Sequence, residues 1–90
     1  MKYVLFYEPA DDVLTRAVPH LEAHQALLGE FHARGELLMV GTFGDPQKEG
    51  SMSVFATRQA AEDFVRRDPF VANGIMRAWR ILEWDEVLVP

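Results

Sequence analysis

HLEAHQALLGEFHARGELLMVGTF, residues 20–43, changes its apolar rhythm half-way along, and that change decides the fold. Over residues 20–34, at about 100° per residue, His20, Leu21, His24, Leu27, Leu28 and Phe31 fall within roughly a third of the helical circumference. Glu22, Gln25, Ala26, Gly29 and Ala33 fall on the other side. The spacing predicts an amphipathic helix, ended by Gly35, with His24 near the middle of its apolar stripe. ELLMVGTF (36–43) reads instead as a strand that is apolar on both sides, Leu37 and Met39 against Leu38 and Val40.

Upstream, KYVLFYE (2–8) is rich in aromatic and branched residues and stops at Pro9, as a strand does. Asp11 and Asp12 are placed to cap a short helical stretch, and Pro19 to open the long helix at its first turn. Downstream, GDPQKEG (44–50) reads as a polar loop and SMSVFAT (51–57) as a third strand, the hairpin partner of the second. Thr57 suits the N-cap of RQAAEDFVRR (58–67), whose Ala61, Phe64 and Val65 make a short apolar face. DPFVANG (68–74) turns the chain, with Pro69 fixing φ and Gly74 free to take a positive one. MRAWRILEWDEVLV (76–89) supplies the last strand and a tail.

The order β-α-β-β-α-β is that of a ferredoxin-like sandwich, an α+β fold with an antiparallel sheet and its helices on one face. Strand one sets Val4 and Phe6 against Tyr3, Leu5 and Tyr7; strand four sets Trp79 and Ile81 against Ala78, Leu82 and Trp84. Two helices cover one face, and a half-covered sheet ordinarily shows a polar second face. The surplus apolar face therefore calls for another sheet. A homodimer packing sheet on sheet supplies it; the alternative occupant is a different partner protein.

Composition narrows the function classes. Ninety residues make a single domain, 1–90, and apolar and charged fractions of 49% and 26% are those of a folded chain. The net charge is -5 and the nine Lys and Arg are dispersed, which excludes a basic stripe for nucleic acid. Without cysteine there is no disulfide, Cys ligand or thiol nucleophile. MKYVLFYEP does not resemble a signal peptide, and no stretch of about 18 apolar residues is present to cross a membrane. A cytoplasmic protein with no cofactor is the expectation.

HLEAH (20–24) stacks His20 and His24 on one helical face, a spacing that suits a metal. A metal needs a third ligand, and none sits at ligand spacing: His32 lies two turns on and roughly 80° round the helix. No metal site is expected. A histidine inside an apolar stripe needs an acceptor for its N–H; a backbone carbonyl makes it a core histidine, a carboxylate makes it an acid–base group. Asp68, before Pro69, is the carboxylate to consider. It is also placed to cap the backbone N–H of Phe70 or Val71, and spacing alone does not join it to His24.

His24, HARGELLMVGTF (32–43) with Gly35 and Gly41, and DPFVANGI (68–75) with Gly74, taken in order, resemble the YciI-like (YCII-related) family over essentially the whole chain. The resemblance implies a ferredoxin-like fold that dimerises through its sheets into an α/β barrel. It also implies a His and an Asp facing one pocket, which fall here on His24 and Asp68. Some relatives are dehydrochlorinases of ring-cleavage or quinol-type compounds, and the wider superfamily includes muconolactone isomerase. Many relatives carry an arginine three residues before the histidine; here that residue is Leu21, with His20 and Arg16 the nearest basic groups upstream.

Three functions follow from these readings. One is a small enzyme using His24 and Asp68 for proton transfer, isomerisation or HX elimination, on a small oxygenated or aromatic-derived compound. In it Gly41 and Gly44 let backbone N–H groups approach an oxyanion, Phe43 and Phe70 are apolar walls, and His20 stands in for the arginine. The second is a non-catalytic ligand-binding or accessory module with the same pocket. In the third, His24 and Asp68 are a buried polar pair that only pins helix to sheet.

Overall fold

The computed structural model describes residues 1–90. Its elements are β1 (Lys2–Pro9), α1 (Val13–Ala17), a 3-10 turn (Val18–His20), α2 (Leu21–Ala33), β2 (Leu37–Thr42), α3 (Pro46–Glu49), β3 (Ser51–Phe55), α4 (Arg58–Arg67), α5 (Pro69–Ala72) and β4 (Met76–Trp84). The strands form one sheet in the order β2-β3-β1-β4, every neighbouring pair antiparallel. This is the ferredoxin-like arrangement that the order of elements predicts. No helix is long and apolar enough to cross a membrane.

The core lies between the sheet and helices α2 and α4. Leu27 and Phe31 of α2 and Ala60, Ala61, Phe64 and Val65 of α4 pack on Leu5, Tyr7, Leu37 and Phe55 of the sheet. Phe31 meets Phe64 edge to face, ring centroids 5.3 Å apart at 89°, and Phe55 lies 5.4 Å from Phe64. Such geometry adds about 0.5–1.5 kcal/mol per pair to the area buried. A smaller cluster of Val13, Phe70 and Ile75 seals the end where α1 and α5 meet β4.

Cross-strand partners assign the faces. Leu5 pairs with Ser53 and Ile81, and Tyr7 with Ser51 and Trp79, on the helix side. Val4 pairs with Val54 and Leu82, and Phe6 with Met52 and Arg80, on the outer side. β2 departs from strict alternation. A β-bulge between Leu37 and Met39 puts Leu37 opposite Phe55 in the core and Met39 opposite Val54 on the outer face. The His32 ring secures the bulge by donating Nδ1–H to the Leu37 carbonyl at 2.9 Å. The third histidine is thus part of the scaffold.

Two segments expected as loops contain single helical turns. Asp45 accepts the Lys48 N–H to start α3, and Asp68 accepts the Phe70 N–H to start α5, each with proline at its first turn. Asp12, expected to cap α1, does so only by its backbone: it is left-handed, φ 56°, and its side chain bonds nothing there. Gln47 of α3 does the work, accepting the Val13 N–H and donating to the Ala10 carbonyl, both at 2.8 Å. Gln47→Ala removes both bonds at a cost of about 1–2 kcal/mol. The amides of residues 13–17 should then exchange with solvent faster, while those paired between β1 and β3 keep their protection.

Candidate active site

Asp68 stands at the joint between α4 and α5. Proline at 69 disfavours helical geometry in the residue before it, and Asp68 is accordingly extended, φ -72° and ψ 118°. That conformation turns its carboxylate back into the protein, where it is 0% exposed. Oδ1 accepts the Phe70 N–H at 3.0 Å and lies 2.8 Å from His24 Nδ1. Oδ2 accepts the Tyr7 hydroxyl at 2.7 Å. A carboxylate oxygen has two lone pairs, so capping the turn and bonding the histidine are not alternatives; one oxygen does both.

The donors fix the state of the imidazole. Burial, the Asp68 charge and the hydrogen bond to it all push the Tyr7 hydroxyl pKa up, so this phenol keeps its proton and donates it. A backbone N–H can only donate. A carboxylate has no hydrogen to give, so it accepts from His24 as well, and Nδ1 carries the third hydrogen. In a neutral ring, Nε2 then bears the lone pair. The ring is held flat against Phe70, centroids 3.8 Å apart and 7° between planes, with the Phe64 ring edge-on behind it. Its side chain keeps 14% exposure.

That exposure opens into a cavity of about 420 Å³ between α1, α2 and the helix side of the sheet. Leu21, His24 and Leu28 line it from α2, and Tyr7, Ser51 and Ser53 from the sheet floor. The floor explains why the cavity exists: two serines at alternate positions of β3 leave empty the space that larger core residues would fill. Ser53 is 3% exposed and bonds no other side chain or backbone group, yet no fully buried side-chain polar atom lacks a partner. Its residual exposure therefore falls on the hydroxyl.

Of the residues expected at a site, His24, Gly41 and Phe70 line this cavity and Asp68 lies directly behind His24. His20, Phe43 and Gly44 are not in its lining. His20 ends the 3-10 turn, and Phe43 borders a shallow groove on the outer face with Met39 and Met52. Gly41 pairs with Met52 in the ladder; Phe43 gives its N–H to the Gly50 carbonyl, and strand alternation turns the Gly41 N–H the same way, toward β3. It is not turned to the cavity. A Cβ on Gly41 would meet nothing within 4 Å, whereas one on Gly50, φ +74°, would fall 2.0 Å from the Tyr7 carbonyl. Gly50 is the glycine this site cannot replace.

No three His, Asp or Glu side chains stand together to hold a metal ion. Tyr7, Ser51 and Ser53 are among the cavity residues that the sequence does not single out. Their signal was present: alternation put Tyr7 on the helix side, where a buried hydroxyl must find a partner, and put two serines on what should be a core-facing row. Tyr7→Phe removes one charge-assisted bond and leaves Asp68 its other two. We expect a loss of about 1.5–3 kcal/mol, read as a lower urea midpoint at unchanged slope.

Among solved structures, the chain is similar to 5-chloro-2-hydroxyhydroquinone dehydrochlorinase from Burkholderia phenoliruptrix AC1100, determined in complex with 2,5-dihydroxybenzoquinone. The identity is 21%, the TM-score 0.72, and the alignment covers 94% of each chain. A hypothetical Arabidopsis thaliana protein solved in solution aligns over 99% of this chain and 89% of its own, at 14% identity and a TM-score of 0.49. No curated protein matches the sequence. The profile of the YCII-related domain matches residues 1–85, nearly the full length, and the chain belongs to that family.

Proposed function

We propose that the protein is a small-molecule enzyme in which His24 moves a proton and Asp68 positions it. The observation that carries this reading is the His24 ring, bonded through Nδ1 to a buried carboxylate and lining a cavity of about 420 Å³. Nε2 takes a proton from an acidic position of the substrate. The imidazolium so formed lies 2.8 Å from the Asp68 carboxylate, which stabilises its charge without taking the proton. In isomerisation the proton returns at another carbon as the double bond shifts. In HX elimination the C–H electron pair becomes the new double bond, and X leaves with the C–X pair.

The elimination limb has support from the dehydrochlorinase of like fold. Phe70 and Gly41 belong to the substrate's walls, while His20, Phe43 and Gly44 lie outside the cavity lining. Asp68→Asn should lower turnover by about 10²–10⁴, the usual share of an acid–base group, with the circular dichroism of the fold retained. The assay is halide release from halogenated hydroxyhydroquinones, together with solvent deuterium entry into enolisable ketones. Saturable binding of these compounds without turnover by the wild type would sink catalysis and leave a ligand-binding module.

The same reading makes the protein a homodimer through the outer face of its sheet. Met39, Leu82 and Trp84 are exposed there beside Val4 and Val54, with no element over them. Gly41 on the same face leaves room for close approach. Leu82→Glu places a charge on a half-exposed side chain, which a lone domain tolerates and a sheet-on-sheet contact does not. Light scattering should give twice the chain mass for the wild type and the single-chain mass for this variant.

A further inference from the structure

The cavity lining contains no Lys, Arg, Asp or Glu; His24 and Tyr7 are its only titratable side chains. The nine Lys and Arg of the chain all lie outside that lining. Lys2, Arg34, Arg58, Arg66, Arg67 and Arg77 each pair with a carboxylate. The Arg80 guanidinium lies 5.0 Å over the Phe6 ring on the outer face. Arg16 reaches toward Gly74, and Lys48 borders a separate recess with Glu49 and Trp79. None of the nine lines the cavity to receive an anion beside His24.

An anionic ligand would thus lose its water without a counter-charge, next to a buried carboxylate and against a net charge of -5. What the walls do offer is apolar surface from Leu21, Leu28 and Phe70, and hydroxyls from Ser51 and Ser53 on the floor. Hydroxyls donate or accept equally well, and they suit a hydroxyl or carbonyl oxygen on an otherwise apolar body. Leu21 is 42% exposed and Leu14 70%, so both sit where the cavity meets solvent. A charge at either position remains hydrated.

We propose that this cavity selects an uncharged, ring-sized compound bearing hydroxyl or carbonyl oxygens and excludes its carboxylated counterparts, with Leu21 and Leu14 setting the choice at the mouth. The proposal rests on the small-molecule reading of the site but is read from binding alone. The probes are hydroquinone and 2,5-dihydroxybenzoate, the same ring with and without a carboxylate, titrated into labelled protein and followed by the NMR signals of His24, Ser53 and Phe70. Wild type should bind hydroquinone at least about tenfold more tightly. Leu21→Lys, and independently Leu14→Lys, should reduce or reverse the ratio. Equal or tighter binding of dihydroxybenzoate by the wild type, or no binding of hydroquinone, overturns the selectivity. The His24→Gln variant should keep the same preference, because the preference comes from the walls. A failed acid–base role, seen as turnover unchanged in that variant, therefore reads separately from failed selectivity.

Discussion

The structure turns on one buried carboxylate. Asp68 has no contact with solvent, and a lone charge there would be prohibitive. It is tolerated because three donors converge on it: a side chain from the sheet, one from α2 and the backbone of α5. Each donor constrains an element. Tyr7 ties the joint between α4 and α5 to the central strand β1, and His24 ties α2 to the same point. The aromatic rings around it, Phe64 and Phe70, hold the imidazole plane by packing rather than by hydrogen bonding.

Much of this arrangement was legible in the sequence, and the reason is periodicity. The stripe through His24, Leu27 and Phe31 and the alternation in β1 and β4 gave the element order and the two faces correctly. The fold could be read because burial imposes a period on helix and strand alike. β2 was misread at one point, since a bulge inserts a residue without changing composition; nothing in LLMV distinguishes a regular strand from a bulged one. The turns in residues 45–49 and 68–72 were legible as caps but not as helices, because a single turn has no period to display.

The site was less legible than the fold. His24 and Asp68 are 44 residues apart, and Tyr7 is 61 from Asp68, so local spacing could not connect them. The family resemblance named the first two and said nothing of Tyr7. From the sequence, Gly41 and Gly44 stand out as places where backbone N–H groups can approach an oxyanion. The glycine under steric constraint is Gly50, where two strands approach. That constraint is a property of two backbones meeting, not of either sequence stretch alone.

The distance in sequence between these groups also governs how the site comes into being. Tyr7, His24 and Asp68 meet only after β1, α2 and the joint after α4 have all docked, so the loop-closure entropy of both long loops is already spent when the carboxylate finds its partners. No fragment and no half-docked intermediate can hold the charge in place, since any two elements leave it short of a donor. The His24–Asp68 contact therefore belongs to the folding cooperativity of the whole molecule, while the α1 wall of the cavity rests on Gln47 and on the Val13, Phe70 and Ile75 cluster. The way to the His24 ring and the contact that holds the ring thus depend on different parts of the molecule.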